Sequence, residues 1–179
     1  MTARDLARLP DACGRFELLD GRLVELSPAG HRHNELIVTI GAILFAWIRP
    51  RKLGVLAGGD TGVLLRRNPD RVRAPDLCFT LAERLPNHRA QHAFTDIIPD
   101  FVVEIVSPND TAGEVQQKVE EWLQAGVRLV WTVFPETHTV GVSTSLAATR
   151  YVHEGDLLDA EPVLPGFAVA VAELFAELE

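Results

Sequence analysis

The chain has 179 residues, 17 of them basic and 25 acidic, for a formal charge of −8 at neutral pH. With 47% apolar and 23% charged residues it has a globular composition, which excludes collagenous, low-complexity and wholly disordered classes. The acidic balance argues against strong non-specific nucleic-acid binding but leaves room for a local basic patch.

Length alone suits one domain over 1–179 that needs no disulfide or metal staple. Cys13 and Cys78 are far apart and form no C-x-x-C, so neither a disulfide framework nor a zinc site is expected. The opening MTARDLARLPDA carries charges where a signal peptide needs an apolar stretch. The longest apolar run, 36–48, is too short to span a bilayer. A cytoplasmic protein without a membrane partner is the expectation.

The first elements are two strands, 16–19 and 22–26, flanking Asp20-Gly21, a dipeptide that favours a type I′ hairpin turn. A helix follows over 33–48, with Leu36, Ile40, Ile43, Leu44 and Trp47 at helical spacing and Pro50 as its stop. Strands are predicted over 53–57, 61–67 and 76–80. The polar stretch 82–99 reads as a long loop or lid. The most strand-like run is 101–106, broken by Ser107-Pro108-Asn109-Asp110. A second helix runs over 112–125, with Thr111 and Glu114 forming a capping box and Gly126 at its C-terminal end. A strand over 127–134, a hairpin to about 142, and a further strand pair with a short helix in 146–179 complete the order. This is a mixed α/β (α+β) fold, one sheet with helices packed against it.

Glu104 is the oddity. In a strand alternate residues share a face, so Phe101, Val103 and Ile105 form one side and Val102, Glu104 and Val106 the other. A carboxylate between valines in a central strand costs several kcal/mol unless a cation compensates it. The alternative is an edge strand whose second face meets water. Asp76 follows Pro75 at a strand entry. Two carboxylates on neighbouring strands suit a hard divalent cation such as Mg²⁺, which keeps several waters and leaves room for a phosphate. Lys118 falls at the edge of the apolar stripe of the second helix. A structural alternative for it is an i,i+4 pair with Glu114. The chain has only two lysines, Lys52 and Lys118, against fifteen arginines, which suggests that a lysine is needed as such.

Pro75-Asp76, then Glu104 within Val-Val-Glu-Ile-Val-Ser-Pro, then Lys118, resembles the PD-(D/E)XK nuclease superfamily. More closely, the chain is similar to the Uma2 (DUF820) family of restriction-endonuclease-like proteins. The likeness runs from about 16 to 134 and includes Phe-Glu-Leu-Leu-Asp-Gly-Arg-Leu-Val-Glu-Leu-Ser-Pro (16–28), His33, Arg-Ala-Pro-Asp (73–76) and Ala-Gly-Val-Arg-Leu-Val-Trp (125–131). The resemblance implies a core of αβββαβ order over 31–142, with an N-terminal hairpin extension (1–28) and a C-terminal extension (143–179). It implies Asp76 and Glu104 as ligands of Mg²⁺ or Mn²⁺, the backbone carbonyl of Ile105 as a third, and Lys118 as the catalytic lysine. The superfamily usually places that lysine two residues after the strand glutamate, where this chain has Val106.

Accessory candidates are Glu17, His33 and Glu35. Candidate nucleic-acid contacts are Arg66, Arg67, Arg71 and Arg73, close before Asp76; the alternative for them is a solvated hairpin. His31-x-His33 and the His88/His92 pair do not amount to a zinc motif. Ser107 lacks a G-x-S-x-G elbow. The leading expectation is a metal-dependent endonuclease acting on DNA as a homodimer. Its rivals are a non-catalytic binding or assembly module on the same fold, marked by an exposed or arginine-paired Glu104, and a hydrolase of a small phosphate ester.

Overall fold

Turn chemistry sets the first hairpin. Asp20 and Gly21 both adopt positive φ, 52° and 77°, and join β1 (Arg15–Leu19) to β2 (Arg22–Leu26) in antiparallel register. The computed structural model describes residues 1–9, 15–59, 61–85 and 95–176. Cys13, His88, His92 and much of the 82–99 loop lie outside the described residues. A short helix α1 (Ala3–Leu6) precedes the hairpin, its first turn closed by a Thr2–Asp5 capping box.

Helix α2 (His31–Arg51) is longer than predicted at both ends and contains Pro50 in its last turn. Proline removes one backbone donor, but the final turn is held by other donors. The Lys52 N–H reaches the Ile48 and Arg49 carbonyls, the Leu53 N–H reaches Ile48, and the Arg51 guanidinium donates to the Trp47 carbonyl. Strands β3 (Gly54–Gly58), β4 (Val63–Arg66), β5 (Arg71–Arg73), β6 (Leu77–Leu81) and β7 (Phe101–Ile105) follow. Helix α3 (Ala112–Ala125) has the predicted ends, a Thr111–Glu114 capping box and Gly126 at φ 106°. Then come β8 (Leu129–Phe134), β9 (Thr139–Ser145), β10 (Ala148–His153), β11 (Leu157–Asp159), β12 (Ala168–Ala170) and α4 (Val171–Phe175).

The main sheet has six strands in the order β10-β9-β8-β7-β6-β3, with β7 and β8 parallel and the other neighbours antiparallel. A parallel pair needs a crossover, and α3 supplies it. Helix α2 covers one face, where Leu36, Ile40, Leu44 and Ile48 meet Phe101, Val103, Ile105, Leu129 and Trp131. Helix α3 covers the other, where Val119 and Trp122 meet Cys78, Val102 and Val130. Strand β7 is therefore central and buried on both faces, and the edge-strand alternative for Glu104 does not hold.

The predicted single sheet is two larger sheets and a small ribbon. Strands β2-β1-β5-β4 form a separate antiparallel sheet. Its inner side joins α1 through Ala3, Leu6, Leu18, Leu64 and Val72. The signal was weak because β5 has only three residues, two of them arginines. The β11–β12 ribbon and α4 add Leu158, Val169, Leu174 and Phe175 to the α2-side core.

Candidate metal and phosphodiester site

Strand pairing brings the two carboxylates together. Leu77 of β6 lies opposite Val103 of β7, so Asp76, one residue before β6, sits beside Glu104 and Ile105. Close backbone packing fixes this entry: a Cβ on Gly58 would come within 2.9 Å of the Asp76 carbonyl. The Ile105 N–H donates to Asp76 Oδ2 at 2.7 Å. His33 Nε2 lies 3.0 Å from Asp76 Oδ1, and Ser107 Oγ lies 3.4 Å from His33 Nδ1. A neutral ring protonated on Nε2 satisfies both partners, donating to Asp76 and accepting from Ser107. Ser107–His33–Asp76 has the residue order of a hydrolase triad, but its serine link is long and its aspartate faces Glu104. The row holds Asp76 in place.

Helix α3 brings the remaining groups. Val115, Lys118, Val119 and Trp122 recur at helical spacing on the side facing the sheet. The Trp122 indole N–H donates to Glu104 Oε1 at 2.7 Å, and Lys118 Nζ stands 3.9 Å from Glu104 Oε2. Glu114 turns back to Thr111 in the capping box, leaving Lys118 directed at Glu104. Glu104, Lys118, Val115, Val119, Asp110 and Thr132 line a small pocket between α3 and the strand ends.

Electrostatics here are dominated by burial. Desolvation pushes the Glu104 carboxyl up from 4.5 to about 8. Asp76 and Glu17 add to the rise, while Lys118 and the Trp122 hydrogen bond oppose it. Burial also acts to lower the Lys118 pKa, but Glu104, Glu17 and Asp110 outweigh it and the net shift is upward. Lys118 therefore stays charged at neutral pH. Burial, with a contribution from Glu104, raises the Cys78 thiol to about 12, so that cysteine is unreactive.

A family model described as "Uma2: Putative restriction endonuclease" matches residues 3–172. The chain belongs to the Uma2 family. Among solved structures, its fold is similar to that of a protein from Anabaena variabilis ATCC 29413, described as "a putative nuclease belonging to DUF820". The TM-score is 0.84 at 18% identity, covering 98% of this chain and 97% of that one. No curated protein matches the chain. The Uma2 assignment and the mixed α/β fold agree with the resemblance read from the motifs, and they make the chain nuclease-like.

Within this Uma2 fold, Asp76, Glu104 and Lys118 come together as one cluster, with His33 attached to Asp76. Glu17, an accessory candidate on the first hairpin, is buried. It accepts from the Arg73 guanidinium at 2.5 Å and from the Ala74 N–H at 3.1 Å. Glu35 turns to Arg32 at 3.1 Å. Of the basic cluster, Arg73 is buried and its Nε donates to Glu121 of α3 at 2.8 Å. Arg71 bonds Glu121 at 2.6 Å and Asp20 at 2.7 Å. These two arginines point inward and tie the small sheet to α3. Arg66, paired with Asp20, and Arg67 are exposed. Trp122, Glu121 and Ser107 were not anticipated. Trp122 had a signal, lying one helical turn beyond Lys118, but it reads as core until Glu104 is placed beneath it.

The donor set suits a hard cation that keeps much of its water. Among the described residues no group of three or more His, Cys, Asp or Glu side chains is placed to hold a metal. Asp76, Glu104 and the Ile105 carbonyl supply oxygens only, which fits Mg²⁺ or Mn²⁺ and not zinc.

Glu104 gives the metal-free fold a pH dependence. In the unfolded chain its proton leaves near 4.5, and in the folded chain near 8, so unfolding releases a proton between those values. Stability falls as pH rises through that window, by an amount on the order of a few kcal/mol. In chelator, Glu104→Gln should match wild type near pH 4 and exceed its thermal stability at pH 9. Parallel melting profiles across that range would remove the argument.

Proposed function

We propose that this Uma2 chain is an endonuclease that hydrolyses phosphodiester bonds in DNA with Mg²⁺ or Mn²⁺, and that it works as a homodimer. One observation carries the reading: Asp76 from the β6 entry, Glu104 from β7 and Lys118 from α3 converge although they are distant in sequence. The rival non-catalytic module calls for an exposed or arginine-paired Glu104. Here Glu104 is buried and faces a lysine.

In this reading Asp76, Glu104 and the Ile105 carbonyl would hold the ion. When bound, the ion supplies Lewis acidity to a phosphoryl oxygen and lowers the pKa of a coordinated water. Ile105 and His33 fix the direction of Asp76, and Trp122 fixes one oxygen of Glu104. Lys118 stabilises the negative charge that grows on the non-bridging oxygens. The attacking water gives up one proton to solvent as its oxygen bonds to phosphorus and one sugar–phosphate ester bond breaks, and the departing sugar oxygen takes up a proton from solvent. Arg66 at the end of β4 and Arg67 in the turn after it, both exposed, are the proposed backbone contacts with the duplex.

Mg²⁺ and Mn²⁺ titration calorimetry, with plasmid cleavage on the same samples, tests this. Metal binding and cleavage in wild type, both lost in Glu104→Ala, are the expected result. Binding without cleavage overturns the DNA substrate, and binding untouched by the substitution overturns the site. Cutting both strands of a duplex suits two sites related by two-fold symmetry. Sedimentation should therefore give a dimer with and without DNA, and a monomer in both conditions overturns that expectation.

A further inference from the structure

Thr132 is a polar side chain without a role in the cluster described so far. It lies on β8 directly beside Glu104 in the parallel register and lines the same pocket. It is 3% exposed, and its Oγ1 has no hydrogen-bond partner in the protein. A buried hydroxyl left unpaired is destabilising. Valine has nearly the same shape and fills Val130, two residues earlier on the same face of β8, and Val102, which precedes Glu104 on that face of β7. Packing therefore gives no reason for the hydroxyl, and such a group in a pocket points to a small polar ligand.

Exposure orders the pocket from mouth to floor. The Lys118 side chain is 29% exposed and that of Glu104 12%, with Thr132 below both. Glu104 Oε1 is taken by Trp122, while Oε2 has only the distant Lys118 ammonium. A water in this pocket would meet Thr132, Glu104 and Lys118 among its lining residues.

We propose that Thr132 is a positioning residue: through one bound water it orients the free oxygen of Glu104 for the cation. The effect on metal affinity rests on the metal-site reading above, whereas the bridge itself does not. Groups that orient a ligand from behind typically change metal affinity or activity by about 10–100-fold.

The test uses the full chain and Mn²⁺ as probe. Thr132→Val should lower Mn²⁺ affinity at least about tenfold, while the metal-free variant melts at or above the wild-type temperature. Thr132→Ser should restore the affinity. A purely structural threonine predicts the reverse, a lower melting temperature in Val and unchanged affinity, and that result overturns the proposal. A high-resolution crystal structure of the metal-free wild type separates it from the wider reading. Water bonded to both Thr132 and Glu104 supports the bridge even if wild type binds no Mn²⁺, in which case only the metal role of Glu104 falls. A floor without that water overturns the proposal.

Discussion

Asp76→Asn is expected to leave the fold intact and to reduce metal-dependent plasmid cleavage about a thousandfold or more. Asparagine keeps an oxygen to accept from the Ile105 N–H, and its amide N–H can donate to His33 Nε2 once the ring carries its proton on Nδ1 and donates to Ser107 instead, so both contacts of Asp76 can be kept. What disappears is the negative charge. Metal catalysis of this kind is worth several kcal/mol of transition-state stabilisation, and each factor of ten corresponds to about 1.4 kcal/mol. Calorimetry should show Mg²⁺ binding lost in the same variant, with an unfolding temperature within a few degrees of wild type. The alanine variant is a poorer test, because it strands the Ile105 N–H at a cost of about 1–3 kcal/mol. Full metal affinity in Asp76→Asn would rule out Asp76 as a ligand.

Arg73→Met should destabilise the fold strongly. Arg73 is buried, bonded to Glu17 at 2.5 Å and to Glu121 at 2.8 Å. Burial works to lower its pKa, but Glu121 and Glu17 carry the net shift upward, so the guanidinium stays charged. Removing one member of a buried ion network leaves uncompensated charge and costs about 3–5 kcal/mol. For a chain of this size that is a fall of about 10 °C in melting temperature. Adding Glu17→Gln should recover much of the loss, because Glu17 is the carboxylate left stranded while Glu121 keeps Arg71. A single variant that melts like wild type would mean the network contributes little.

Features that depend on neighbouring residues were legible in the sequence. The Asp20-Gly21 turn, the Thr111–Glu114 capping box and the Gly126 terminus each need only a few adjacent residues, and each is found where predicted. Period-two alternation placed Glu104 between valines, and the motif order linked it with Asp76 and Lys118. Pro50 misled because its missing donor is offset by Lys52, Leu53 and the Arg51 side chain, a compensation that only the folded turn reveals. The four-stranded sheet was hidden because β5 pairs with β1 across more than fifty residues of sequence through very few positions. Charge sign alone also failed for Arg71 and Arg73. Nothing local to Arg-Val-Arg tells that Glu17 and Glu121 wait on other elements. For the same reason the Trp122 link to Glu104 is invisible until α3 is laid on the sheet.

The lysine on α3 also gives the protein a chemical reporter. Only Lys52 and Lys118 carry side-chain amines. Lys52 caps α2 in the open, whereas Lys118 is part-covered and held as an ammonium beside Glu104. Acylating reagents consume free amines, so Lys52 should react promptly and serve as an internal standard, with Lys118 lagging. Peptide mass spectrometry of the ratio between the two would then read events in the cleft directly, one residue against the other, without a labelled substrate.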